Sequence, residues 1–219
     1  MPANYNNSAW FYDRLSRLVY GKALVKAQVY LLQFIPVNSS VLIVGGGTGW
    51  ILEEITRVYP SGLQITYVEV APKMMALSKK KNAGLNEVVF INDAIEDVAI
   101  TGHFDVVFTP FLFDNFTEQT LQKVFERVHM LLKQGGLWLN CDFQLSGKWW
   151  QKALLKSMFL FFRLICNIEA SKLPDINRRF AQYGYQTIEW QTFFGGFIVS
   201  KVFKQGLSDL RSFKNFVSL

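Results

Sequence analysis

The sequence predicts an α/β fold of the doubly wound kind, with a mostly parallel seven-stranded sheet, helices on both faces and a C-terminal antiparallel hairpin. Three observations carry that prediction. Short apolar runs alternate with segments whose apolar residues recur at helical spacing. The runs read as near-continuous Val, Ile, Leu and Phe, the pattern of strands covered on both faces. A glycine-rich turn joins the first run to the helix that follows it.

From Ala9 to Gln33, the residues Phe11, Leu15, Leu18, Val19, Val25, Val29 and Leu32 recur mostly at three- and four-residue intervals, and Pro36 stops the pattern. One long helix or two broken ones fit that spacing. Val41 to Val44 is a strand ending in Gly45-Gly46-Gly47-Thr48-Gly49, and Ile51, Leu52, Ile55 and Val58 then mark a helix. Ile65 to Val70 is the second strand. Pro72 to Ala83 is the next helix, with proline in its first position and Gly84 after its end.

Val88 to Ile91 and Phe104 to Phe108 supply two more strands. Thr117 is placed to N-cap a helix whose face is Leu121, Val124, Phe125, Val128, Leu131 and Leu132, closed by Gly135 and Gly136. Leu137 to Phe143 is the fifth strand. Lys148 to Ile168 is a Trp- and Phe-rich helix, and Pro174 to Tyr183 a short one ending at Gly184. Tyr185 to Phe193 and Phe197 to Phe203 close the fold as a hairpin through Gly195 and Gly196.

A chain of 219 residues, 50% hydrophobic and 16% aromatic, supports one sizeable core. The expected organisation is a single domain over 1–219. It has a helical cap at 1–36, a cofactor-binding core at 37–145, a helical acceptor-side insert at 146–184, the hairpin at 185–204 and a tail at 205–219.

The turn between the first strand and its helix is the chief chemical signal. Gly45, Gly47 and Gly49 allow a sharp turn and a close backbone approach, and deliver a ligand to a helix N-terminus. A dinucleotide fingerprint counted from Gly45 needs a third glycine where Trp50 stands, and no other register supplies one. A phosphate-cradling loop needs Gly-Lys-Ser/Thr, which is absent. An adenosyl-type ligand without a pyrophosphate fits what remains. Glu69, near the end of the second strand, is placed to accept both hydroxyl hydrogens of a ribose. Asp93, after the third, can accept from an exocyclic amine.

These residues resemble the class I S-adenosylmethionine-dependent methyltransferases, with their Rossmann-like fold, and within them the small-molecule group that includes the ubiquinone and menaquinone biosynthesis enzymes. Val41 to Gly49 looks like the family's first motif, Glu69 like its ribose-binding acid, and Asp93-Ala94 like its adenine-contacting pair. Phe104 to Phe116 looks like the fourth-strand motif, and Leu132-Lys133-Gln134-Gly135-Gly136 like the Leu-Lys-Pro-Gly-Gly before the fifth strand. The resemblance implies S-adenosyl-L-methionine as cofactor, held by Gly45, Gly46, Gly47, Gly49, Glu69, Val70, Asp93, Ala94, Thr109 and Pro110. It departs at Ile43, where the family places an acid that helps hold the methionine ammonium group.

By the same resemblance, an acceptor pocket is expected at Tyr12, Tyr20, Phe111, Phe113, Trp149 and Trp150, whose rings imply a small apolar or aromatic acceptor. Asp114 is the one candidate proton acceptor in the stretch after the fourth strand. The expected function is S-adenosylmethionine-dependent methyl transfer to such an acceptor. The alternative is a binding or scaffold protein that keeps the fold and has lost the reaction.

Charge and cysteine usage narrow the partners. The net charge is +6, with a pI near 9.3, but Lys and Arg are scattered and the run Lys79 to Lys81 reads as a solvated helix end, so no nucleic-acid partner is expected. Lys148, Lys152, Lys156 and Arg163 along the aromatic helix leave a peripheral membrane contact open. Cys141 and Cys166 read as buried thiols, no His/Cys cluster of metal-binding type exists, and His103 and His129 read as surface or structural. The polar start Met1 to Asn7 has no signal-peptide pattern, and the expected location is cytoplasmic.

Overall fold

The computed structural model describes residues 19–166 and 172–206. Its centre is a seven-stranded sheet comprising β1 (Ser40–Val44), β2 (Ser61–Val68), β3 (Leu85–Ile91), β4 (Phe104–Pro110), β5 (Leu132–Phe143), β6 (Tyr185–Phe193) and β7 (Ile198–Gln205). The spatial order is β3-β2-β1-β4-β5-β7-β6. The first five strands pair in parallel, and β7 runs antiparallel to both β5 and β6. Strand order reverses between β1 and β4, and the crevice at such a switch, beyond the carboxyl ends of the strands, is where folds of this kind bind ligands.

The helices are α1 (Ala23–Leu32), α2 (Trp50–Val58), α3 (Pro72–Ser78), α4 (Glu118–Leu131), α5 (Trp149–Cys166) and α6 (Ile176–Gln182). Successive strand residues point to opposite faces, so β1 sends Val41 and Ile43 into one core and Leu42 and Val44 into the other. The first core meets Ala27 and Leu31 of α1, Ile51 and Ile55 of α2, and Leu155 and Met158 of α5. The second meets Val124, Phe125 and Val128 of α4 and Phe180 of α6. There the Phe180 and Phe203 rings stack at 3.6 Å, and the Trp138 indole, stacked on Phe125, donates to the Thr109 hydroxyl at 2.9 Å. Burying each such ring stabilises the fold by roughly 2–3 kcal/mol. On the opposite face, the buried Ser200 hydroxyl donates to the Ala27 carbonyl at 2.7 Å and ties β7 to α1.

The sheet agrees with the expectation; β2 starts and ends earlier than Ile65–Val70 and β3 starts earlier than Val88, and two helix ends differ for physical reasons. The helix from Pro72 ends at Ser78 rather than Ala83. The chain continues in tight turns, with Lys80 and Lys81 amides bonding three residues back and the Asn82 side chain accepting from the Gly84 amide at 2.8 Å, which leaves no i-to-i−4 ladder to extend the helix. Gly135 and Gly136 do not close α4. Leu132 already has extended torsions, and the glycines form an irregularity inside β5, where a Cβ on Gly136 would come within 2.9 Å of the Asp105 carbonyl. The Thr117 hydroxyl does cap α4, accepting from the Thr120 amide. At the N-terminus the described helix is α1; the expected helical residues from Ala9 to Leu18 lie outside the described residues.

Candidate functional site

Gly45 leaves β1 with its amide bonded to the Val68 carbonyl at 2.9 Å, so the turn starts anchored between the two central strands. Tyr67, buried beneath it, donates its hydroxyl to the Gly47 carbonyl at 3.0 Å. A Cβ on Gly46 would lie 2.4 Å from that phenol oxygen, so only glycine lets the ring support the loop. Gly49, at φ 79°, opens α2 and packs so tightly on α3 that a Cβ would fall 2.6 Å from the Ser78 Cα. A Cβ on Gly47, by contrast, would meet only the Met74 sulfur, at 3.9 Å. The backbone there stays open to the crevice.

Glu69 follows the last residue of β2 beside this loop and is only 5% exposed. Its Oε2 accepts from the Gly47 amide at 3.0 Å and its Oε1 from the Ala71 amide at 2.8 Å. Burial raises its proton affinity, and the amides of Ala71, Gly47 and Val70 oppose that shift without cancelling it. Each oxygen keeps lone-pair capacity for a ligand hydroxyl. The Asn92 side-chain amide fixes the strand end by donating to the Glu69 carbonyl at 2.7 Å and to the Val70 carbonyl at 3.2 Å.

Across the crevice, β4 ends at Pro110, and Phe111 turns at φ 50°, a left-handed conformation that costs a bulky residue about 1–3 kcal/mol and that tends to persist where a site needs it. The turn brings Asp114 to the crevice on a single 3-10 turn, Phe113–Asn115. Asp114 is buried, and its Oδ1 accepts from the Asn115 side-chain amide at 2.9 Å. Asp142, near the end of β5, lies next to it, equally buried; its Oδ1 accepts from the Phe143 amide at 2.9 Å, and its Oδ2 has no hydrogen-bond donor. Burial above all, and then the neighbouring Asp142 charge, holds the Asp114 carboxyl well above the usual carboxylate range. Burial likewise pushes Asp142 upward, against the amides of Phe143, Phe113 and Asp114.

These parts enclose one cavity of about 380 Å³. Its floor is Gly45, Gly46, Gly47 and Glu69. Its far wall is Pro110, Phe111, Asp114 and Phe143, and its roof comes from Tyr20, Leu24 and Gln28 at the α1 end and Ser157, Met158 and Phe159 of α5. Tyr20 donates its hydroxyl to the Met158 sulfur at 3.4 Å and packs edge-on to Phe194, which joins the two covering helices to the hairpin. Burial, with the Asp114 charge behind it, holds the Tyr20 phenol protonated.

Of the residues expected at a site, Gly45, Gly46, Gly47, Glu69, Val70, Pro110, Phe111, Asp114 and Tyr20 line this cavity. Gly49 lies just behind it, opening α2. Asp93 is exposed, its side chain accepting from the Ala94 amide at 2.8 Å; neither residue lines the cavity. Thr109 and Phe113 are fully buried in the sheet's other face. Trp149 is 81% exposed, Trp150 packs on Phe194 and Phe197, and Tyr12 lies outside the described residues. Ile43, at the position of the missing acid, is completely buried in the core. The sequence reading did not single out Gln28, Met158 or Asp142. Gln28 and Met158 carry no motif, and Asp142 becomes notable only when β4 and β5 pair, Pro110 opposite Cys141.

Residues 41–136 match the family model described as a methyltransferase domain. A demethylmenaquinone methyltransferase from Porphyromonas gingivalis is 31% identical over 141 residues, which are 62% of this chain and 57% of that protein. The chain thus spans little more than half the length of this relative. Among solved structures, a mitomycin 7-O-methyltransferase superimposes with a TM-score of 0.66 at 13% identity, over 85% of this chain and 55% of its own. A 1,6-didemethyltoxoflavin N1-methyltransferase from Burkholderia thailandensis, with bound 1,6-didemethyltoxoflavin and S-adenosylhomocysteine, gives 0.62 at 13% identity over 90% of this chain and 88% of its own. At such identities structural likeness establishes the fold alone. Residues 41–136, which span the glycine turn, Glu69 and the Asp114 turn, are thus similar to methyltransferase domains.

Proposed function

We propose that this chain binds S-adenosyl-L-methionine across the carboxyl ends of β1, β2 and β4 and transfers its methyl group to a small, apolar or aromatic acceptor held beneath α1 and α5. The observation that carries this reading is the single cavity that runs from the open backbone at Gly47 and the carboxylate of Glu69 to Asp114 and the ring of Phe111. Glu69, between two backbone amides and with free lone pairs, suits the ribose hydroxyls. The backbone of Gly45 and Gly47 offers the tail a surface without side chains, and Ile43 leaves its ammonium group to backbone carbonyls and to Gln28. When bound, the cofactor supplies the electrophilic methyl. The protein aligns the acceptor with it and excludes water, through Tyr20, Phe143, Met158 and Phe159.

Calorimetry with S-adenosylhomocysteine, followed by methyl transfer to a panel of small aromatic acceptors, tests this. Binding with turnover supports the enzyme, whereas binding without turnover on any acceptor supports the scaffold alternative. A second feature bears on where the acceptor comes from. The outer side of α5 exposes Trp149, Lys152, Lys156, Leu160 and Arg163 and carries no acid, and among the described residues no helix is long and apolar enough to cross a membrane. That combination supports peripheral docking on an anionic bilayer. Co-sedimentation with phosphatidylglycerol vesicles, lost in a Lys152→Glu/Lys156→Glu variant, is the expected result; no sedimentation of the wild type contradicts it.

A further inference from the structure

Asp114 and Asp142 are buried beside each other, and Asp142 draws on the amides of the Phe113–Asp114 turn. Asp114 Oδ1 has the Asn115 side chain as its partner, and Asp142 Oδ2 is sealed from solvent with no donor at all. The other titratable groups that act with them are the Tyr20 phenol, from the α1 end, and the Cys141 thiol, from β5 itself, both kept neutral by burial. Among the described residues no Lys, Arg or His lines the cavity, and no three His, Cys, Asp or Glu side chains are arranged to hold a metal ion. Two carboxylates so placed disfavour ionising together, since both are buried, no cationic side chain among the described residues lines the cavity beside them, and each repels the other. Only Asp114 of the two reaches the cavity.

We propose that Asp114 and Asp142 form an acid pair that keeps one proton and one negative charge between them, and that Asp114, the member at the cavity, receives the proton of a hydroxyl-bearing acceptor while the pair's own proton sits on Asp142. The inference rests on the methyl-transfer reading above and narrows it to phenolic or enolic acceptors. As the acceptor oxygen attacks, the O–CH3 bond forms and the S–CH3 bond breaks with its electron pair left on sulfur. The acceptor's O–H bond breaks and its proton passes to Asp114. Asp142 touches neither reactant. It is a positioning residue that raises the proton affinity of Asp114 and holds it through the turn at Phe113 and Asp114.

The full chain, labelled with 13Cγ-aspartate and saturated with S-adenosylhomocysteine, is titrated by NMR from about pH 4 to about pH 9. Two carboxyl signals, each responding at two coupled steps above the ordinary aspartate range, are expected, and Asp142→Asn moves the Asp114 midpoint down by about one pH unit or more. Independent single-step titrations, or an Asp114 midpoint in the ordinary range, overturn the pair without needing any variant to fold. In the same complex, 1-naphthol is expected to bind at least about tenfold tighter than 1-methoxynaphthalene, which has no proton to give, and Asp114→Asn to erase that preference. Naphthol that binds no tighter than its methyl ether overturns the proton-accepting role. Calorimetric binding of S-adenosylhomocysteine is read separately, so a failure of the cofactor reading is not mistaken for a failure of the pair.

Discussion

At Asp114 and Asp142 the folded state favours the protonated carboxyl, because burial removes water and each sits against the other. Their proton affinities in the folded chain exceed those of the unfolded chain, so the stability they contribute is complete in acid and is lost as pH rises through the folded values, which for Asp142 is about 7. The melting temperature of the wild type, relative to Asp142→Asn, is therefore expected to fall by about 3 °C or more between about pH 5 and about pH 8. Parallel curves for the two proteins contradict this. Glycine is the other decisive residue type. Gly49→Ala forces a Cβ into the backbone of α3 from a left-handed torsion, and is expected to destabilise the chain by about 2–4 kcal/mol in urea unfolding. The glycine turn and Glu69 were legible in the sequence because each is read within one strand–turn–helix unit. Asp142 was not, since nothing local distinguishes a strand aspartate from a solvated one until β4 and β5 pair.

At the scale of elements, alternation of strands and helices was readable because the inner strands β1 and β4 are buried on both faces and the helices on one. Boundaries moved where long-range contacts outweighed local signals. The glycines after α4 look like a helix terminator but are recruited by β4, whose Asp105 carbonyl passes too near for a side chain. Asp105 itself joins three strands at the amino end of the sheet. Its Oδ2 accepts from the Ser40 amide at 2.9 Å and hydroxyl at 2.7 Å, and its Oδ1 from Lys133 at 2.7 Å. Burial raises its proton affinity, and the Lys133 and Ser40 hydrogen bonds outweigh it, so the carboxyl titrates near 2 and its stabilising contribution disappears only as pH falls through that value from the ordinary range. Asp105→Ala is expected to cost about 1–2 kcal/mol in denaturant unfolding at neutral pH. It should leave S-adenosylhomocysteine affinity unchanged, because Asp105 sits at the end of the strands opposite the crevice and does not line the cavity. A loss of binding with intact folding contradicts that separation.

Across the whole molecule, a parallel half-sheet supplies the crevice and the antiparallel β6–β7 pair carries the covering helices into position. Ser200 fastens α1 to β7, while Phe194 and Phe197 at the hairpin support Tyr20 and Trp150. The covered side of the cavity is thus built from segments far apart in sequence. That explains why only its aromatic character was readable, and why Trp149 faces outward although Tyr20 and Phe111 face the cavity. The central claim concerns Glu69 and the open loop beside it. Titration calorimetry of S-adenosylhomocysteine into the wild type and Glu69→Gln measures it most directly. The account predicts one site with a dissociation constant on the order of 1–100 μM in the wild type, weakened about tenfold or more in the variant. Equal affinity in the two proteins, or no binding by the wild type at millimolar ligand, would contradict it.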